Sequence, residues 1–109
     1  MNVGIDCVDI GRFRKLRGAT RSHFLARTFS SQERAYCEKT ADSAARYAST
    51  FAAKEAVVKA LAGRVGTIEV DIRRTRAGQP EVFVRGRRRN IAVSMTHEAG
   101  LACAIAVST

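Results

Sequence analysis

Two carboxylates and a lysine stand where ordinary packing would not put them. Asp6 interrupts the apolar run Val3-Gly4-Ile5-Asp6-Cys7-Val8, and burying a carboxylate is costly unless it is paired or holds a metal. The alternative is an edge strand with Asp6 turned to water, and an isolated acid does not decide between the two. Glu55 lies in the run Phe51-Ala52-Ala53-Lys54-Glu55-Ala56-Val57-Val58-Lys59-Ala60. At about 3.6 residues per turn, Ala48, Phe51, Ala52, Glu55, Val58, Lys59 and Ala62 share one helix face. Glu55 then sits inside an apolar stripe, with Lys59 one turn on. A plainer reading is a solvated Glu–Lys pair worth a few tenths of a kcal/mol.

A third segment, Val93-Ser94-Met95-Thr96-His97-Glu98, reads as a strand entering a polar turn. A lone histidine such as His97 is more often structural than catalytic. Neither His23 nor His97 stands at metal-ligand spacing from a Cys, Asp or Glu, and no GxSxG or Walker loop occurs. What the pattern suits is phosphate chemistry. Magnesium is usually held by one or two carboxylates, with water and substrate phosphates completing its octahedron. Two acids on different elements plus one lysine are the parts that cleaving a pyrophosphate requires.

Several elements must position these groups. Val3 to Val8 alternates as a strand, with Val3, Ile5 and Cys7 on one face and Asp6 on the other. Asp9 caps a short basic helix through Arg17, broken at Gly18, and a second helix covers Ser22 to Thr28. Ser30-Ser31-Gln32-Glu33 is a capping box that opens a third helix to Lys39. Asp42 or Ser43 caps the longest helix, Ala44 to Ala62, stopped by Gly63. Strands follow: Ile68, Val70 and Ile72 alternate with acids, Arg76 to Pro80 turns, and Val82 to Val84 is a short strand. Ile91 to Met95 and Leu101 to Val107 form a hairpin around a loop from Thr96 to Gly100. Helices first and antiparallel strands after predict an α+β domain spanning 1–109.

Composition narrows the function classes. The chain has 109 residues, 46% hydrophobic and 27% charged, an ordinary globular balance. No apolar run approaches the roughly 18 residues of a membrane span. The N-terminal residues lack the order of a signal peptide, so a cytoplasmic setting is expected. Cys7, Cys37 and Cys103 are odd in number, widely spaced and set among apolar neighbours, as structural thiols are. The net charge is +9, and 15 of the 19 basic residues are arginine. That field favours an anionic partner, and arginine suits phosphates and carboxylates.

Three segments carry a resemblance to a known family. Gly4-Ile5-Asp6-Cys7-Val8-Asp9-Ile10 with Arg12, the helix Phe51 to Leu61, and Val93 to Glu98 resemble the signatures of the holo-acyl-carrier-protein synthases, the short phosphopantetheinyl transferases. Phe24-Leu25-Ala26-Arg27, Phe29 to Glu33, the Gly78-Gln79-Pro80 turn and the alanine-rich last strand match in order. The resemblance implies an α+β fold, a homotrimer with sites between subunits, and transfer of phosphopantetheine from coenzyme A to a serine of an acidic acyl carrier protein. It implies that Asp6 and Glu55 bind Mg²⁺ and that Lys59 neutralises phosphate charge. Thr96 and His97 would line the coenzyme A site, and Arg12, Phe24 and Arg27 would dock the carrier.

The chain departs from that pattern in three places. Thr50 stands where the family has arginine before Phe51, leaving Arg46, one turn earlier, to contact coenzyme A phosphate. The loop after Gly63 is short. Between the Pro80 and Val93 strands the family has a helix of two to three turns, and only Arg85-Gly86-Arg87-Arg88-Arg89-Asn90 stands here. Two alternatives accompany this reading. One is a small basic nucleic-acid-binding protein, suggested by the arginine clusters. It is opposed by the lack of an RRM aromatic signature, zinc-finger spacing or a helix-turn-helix. The other is a non-catalytic carrier-binding subunit on the same fold.

Overall fold

The computed structural model describes residues 1–109 and is α+β, as the order of elements predicts. Strand β1 spans Asn2–Asp9 and helix α1 Ile10–Arg14. The Asp9 carboxylate caps α1 by accepting from the Gly11 amide at 2.9 Å. α1 is shorter than expected. Gly18, at φ 56°, reverses the chain, and α2 (Gly18–Thr28) starts there rather than at Ser22. Helix α3 (Ser31–Glu38) opens on the predicted capping box, with Ser30 and Glu33 each accepting the other's amide. Helix α4 (Ser43–Ala60) is capped by Asp42. It ends two residues early because Ala62 and Gly63 are already left-handed, at φ 57° and 71°.

Strands β2 (Val70–Arg74), β3 (Pro80–Val84), β4 (Arg87–Arg89), β5 (Ile91–Glu98) and β6 (Leu101–Ser108) complete the chain. The strand expected from Ile68 begins with a 3-10 turn, Thr67–Glu69, instead. All pairings are antiparallel, in two sheets ordered β1-β6-β5 and β2-β3-β4. Two of the hairpins close on two residues. Ala99-Gly100 joins β5 to β6 with φ of 50° and 83°, and Arg85-Gly86 joins β3 to β4 with φ of 51° and 80°. Positive φ at both central positions gives the turn that follows strand twist. The Thr96–Gly100 loop is therefore mostly strand, and the basic segment forms an unforeseen edge strand.

Helix α4 lies against the inner face of the first sheet, and both surfaces are small-residued. Ala48, Ala52, Ala53, Ala56 and Ala60 meet Gly4, Val8, Ala102, Ala104 and Ala106 in the buried core. Gly4 sits at the closest approach. A Cβ there would stand 1.9 Å from the Ala56 carbonyl oxygen and 2.7 Å from the Ala60 nitrogen. Tyr47 and Phe51 of α4 form an aromatic cluster with Phe13, Phe24 and Phe29, with centroids 5.0 to 6.5 Å apart.

The alternation predicted for β1 holds, but its sense is the reverse of an ordinary strand. The Gly4-Asp6-Val8 face turns inward, while Val3 and Ile5 are 58% and 61% exposed. With Leu101 and Ile105 on β6 they make an open apolar face. Cys7 and Cys103 are paired in register on that face, their sulfurs 2.9 Å apart.

Candidate functional site

The close packing that Gly4 permits sets the end of α4 over β1. Lys59 reaches across, and its Nζ donates to the Ile5 carbonyl at 2.9 Å and to Asp6 Oδ1 at 3.0 Å. Asp6 is on an edge strand, yet its side chain is only 17% exposed. It is turned to the helix and not to water. Glu55, half-buried one turn before Lys59, accepts a hydrogen bond from the Thr67 hydroxyl. The i,i+4 Glu–Lys pair is thus replaced by two separate partnerships, Lys59 with Asp6 and Glu55 with Thr67.

This donor set fits a magnesium ion. No group of three or more His, Cys, Asp or Glu side chains gathers in the chain. Mg²⁺ does not need one, because it keeps several waters and binds through one or two carboxylates plus substrate phosphates. Asp6 on β1 and Glu55 on α4, two elements packed against each other, offer those carboxylates.

Arg46, Thr96 and His97 line one cleft of about 300 Å³, together with Tyr36, Asp42, Ser49 and Arg74. In the sheet, Asp6 opposes Ala104 and His97 opposes Ala102, from the two sides of β6. Strand spacing and rise then put the Asp6 and His97 backbones roughly 12 Å apart on the same inner face. Thr50 does not face the cleft. It is buried in α4, its hydroxyl 3.7 Å from the Cys37 sulfur, and burial pushes that thiol up to about 11.

The three expected docking residues lie on consecutive helices. Arg12 is exposed on α1, and Arg27 is exposed in the last turn of α2 with its guanidinium 5.9 Å from the Phe24 centroid. Phe24 itself packs into the aromatic cluster, 5.8 Å from Phe13 and 6.2 Å from Phe51.

The main ionic feature that sequence reasoning missed is Lys54. Its Nζ is fully buried 2.6 Å from the equally buried Glu33, which also accepts from the Ser30 and Ile72 amides at 2.8 and 2.7 Å. Burial pushes the Glu33 carboxyl up and the Lys54 ammonium down, each opposed by the other's charge. On either side of that contact the proton leaves the pair net neutral. It ties α3, α4 and β2 together behind the site. The only sequence signal was Lys54 among buried alanines.

The family model described as the 4′-phosphopantetheinyl transferase superfamily matches residues 2–106. A holo-acyl-carrier-protein synthase of Anaeromyxobacter sp. (strain K) is 38% identical over 98% of this chain and 94% of its own length. One from Chlamydia trachomatis serovar L2 is 36% identical, covering 97% of each. Among solved structures, the Helicobacter pylori holo-acyl-carrier-protein synthase in complex with coenzyme A superposes with a TM-score of 0.83 at 27% identity, over 98% of this chain and 99% of that one. The Mycobacterium tuberculosis acyl carrier protein synthase gives 0.70 at 31% identity, over 96% and 93%.

Proposed function

The chain belongs to the 4′-phosphopantetheinyl transferase superfamily, and from that premise we propose that it is a holo-acyl-carrier-protein synthase. It moves the 4′-phosphopantetheine of coenzyme A onto a serine of an apo acyl carrier protein and releases adenosine 3′,5′-bisphosphate. The observation that carries the site assignment is the Lys59–Asp6 contact, with Glu55 one turn away.

Asp6 and Glu55 would hold Mg²⁺, which when bound would supply Lewis-acid polarisation of the phosphoryl oxygens. Lys59 is already at the carboxylate that faces this charge, and it stabilises the negative charge that grows on the leaving phosphate. The serine oxygen forms a bond to the β-phosphorus as the bond to the adenosine bisphosphate oxygen breaks. Glu55 takes the serine proton through an intervening water. Thr96, His97 and Arg46 hold the rest of coenzyme A in their cleft, which fixes the in-line geometry.

The whole chain, 1–109, acts as one catalytic domain. Arg12, Arg27 and Phe24 receive the acidic carrier, favoured by the +9 charge of the protein. A homotrimer built on the outer sheet face accounts for Val3, Ile5, Leu101 and Ile105, since an apolar patch of that kind marks an interaction surface. No helix is long and apolar enough to cross a membrane, and the setting proposed is the cytoplasm. The nucleic-acid reading rests on charge alone, and the relatives do not favour it.

The test is intact-mass spectrometry of an apo acyl carrier protein incubated with the protein, coenzyme A and Mg²⁺, beside an EDTA control. Gain of one phosphopantetheine, lost with EDTA, is expected. Tight carrier binding with no mass gain across several carriers would leave the non-catalytic subunit instead.

A further inference from the structure

Two of the three cysteines are placed unlike the third. Cys37 is wholly buried beside Thr50, where a cysteine serves as a small hydrophobe. Cys7 is exposed and Cys103 half-buried, on the outward face of the first sheet. They are 96 residues apart in the chain, yet stand opposite each other in the β1–β6 ladder with sulfurs 2.9 Å apart. Each thiol has the other as its hydrogen-bond partner. Core packing does not account for an open pair of thiols in contact.

The geometry suits one covalent bond. Residues directly opposite in antiparallel strands have Cα atoms about 4.5–5.5 Å apart, within the roughly 4.4–6.8 Å that a disulfide spans. Closing the sulfurs from 2.9 Å to the bonded length of about 2.05 Å asks for a movement of about 0.9 Å. A metal cage is a poorer match. Structural zinc takes four ligands, and no group of three His, Cys, Asp or Glu side chains forms around the pair.

We propose that Cys7 and Cys103 are a site of reversible oxidation, at which a small organic disulfide of the glutathione class staples β1 to β6. Cys7, the more exposed thiol, attacks one sulfur of the oxidant, forming a mixed disulfide and releasing one small thiol. The Cys103 sulfur then attacks the Cys7 sulfur, and the second small thiol leaves. Two electrons and two protons pass from the protein to the oxidant, so one disulfide is made as another is reduced. The product gains no bulk, and the face stays open to other copies of the chain; the exchange takes place on protomers before they meet. The staple fastens an edge strand to the central strand of its sheet. The loop it closes is nearly the whole chain, so it restricts the unfolded state far more than the folded one. None of this depends on the transfer reaction.

The experiment treats the folded, reduced protein with excess oxidised glutathione, and in parallel refolds it from urea in the same buffer, which exposes the thiols before copies associate. Free thiols are counted, intact mass is measured and the linked peptides are mapped. The refolded sample is expected to lose the Cys7 and Cys103 thiols, keep that of Cys37, retain no glutathione and weigh about 2 Da less. Its thermal midpoint should rise by about 10 °C or more, and dithiothreitol should reverse the rise. Cys7→Ser should show no redox-dependent midpoint. The wild type alone decides the matter: three free thiols in both samples, a lasting glutathione adduct, a bond to Cys37 or a disulfide between chains overturns the proposal. So does a Cys7–Cys103 disulfide that leaves the midpoint unchanged, since it would not act as a staple. Oxidation of the refolded sample alone supports it, with assembly shielding the pair.

Discussion

The ammonium of Lys59 meets the carboxylate of Asp6 at 3.0 Å across 53 residues of sequence. Glu55, on the same helix, is bound to Thr67 and leaves Lys59 free to do so. The contact joins a helix to an edge strand at the one place where a glycine lets them close.

Replacing Glu55 with Gln keeps an oxygen to accept the Thr67 hydroxyl but removes the charge. Transfer is expected to fall by about a hundredfold or more, the scale on which removing a group from a charge-stabilising site acts. The thermal midpoint should stay within a few degrees of wild type. Substantial residual transfer by intact mass would take Glu55 out of the metal site.

Gly4→Ala inserts a methyl group where only 1.9 Å separates it from the Ala56 carbonyl oxygen. The atoms in its way are all α4 backbone, with no side chain to yield, so α4 must move. A loss of about 1–3 kcal/mol is expected from overpacking, together with slower transfer as Lys59 leaves Asp6. Urea denaturation and the mass assay check the two effects, and a variant of unchanged stability would contradict the packing described.

Lys54→Met leaves the Glu33 carboxylate buried without its cation. Breaking one side of a buried pair costs about 3–5 kcal/mol, read as a lower urea midpoint. A variant as stable as wild type would mean that the three backbone-anchored elements do not depend on the pair.

Acid should weaken the fold through exposed carboxylates. Asp42 is held below its ordinary value by Arg14, Glu38 by Tyr47 and Arg21, and Glu69 by Arg85. A depressed carboxyl contributes its stability above the unfolded value and loses it as pH falls through the folded one. The urea midpoint should therefore decline below about pH 4. Because these pairs are exposed, the decline should shrink in high salt. A salt-independent profile would assign the acid sensitivity to buried groups.

Ile5→Asp places a charge on the open face of the first sheet without touching the core. If copies meet there, light scattering will find a trimer in the wild type and monomers in the variant. A wild type that is monomeric at high concentration would leave that face unexplained.

Much of this architecture was legible from local chemistry. The Ser30–Glu33 box and the Asp42 cap act within one turn, so their spacing alone marks helix starts. Glu55 and Lys59 stood out for the same reason, as charges within an apolar stripe. What escaped notice was set by distant partners. Lys54 and Glu33 are 21 residues apart, and no periodicity pairs them. In β1 the apolar residues face outward because the inner face must admit a helix backbone at Gly4 and a carboxylate at Asp6. The strand Arg87–Arg89 has no alternation of hydrophobicity, and its place is decided by the tight turn before it. Tyr36, Ser49 and Arg74 become neighbours only when α3, α4 and β2 pack.

That tight turn has a bearing on how the chain tolerates change in length. Arg85 and Gly86 occupy a two-residue hairpin whose following strand is exposed throughout and lies at a sheet edge. Residues spliced in there would disturb only the Arg85–Glu69 contacts, one surface ion pair and one backbone hydrogen bond, and no part of the alanine-packed core. The hairpin is thus a natural splice point, where a graft or tag could be carried at little cost to the fold.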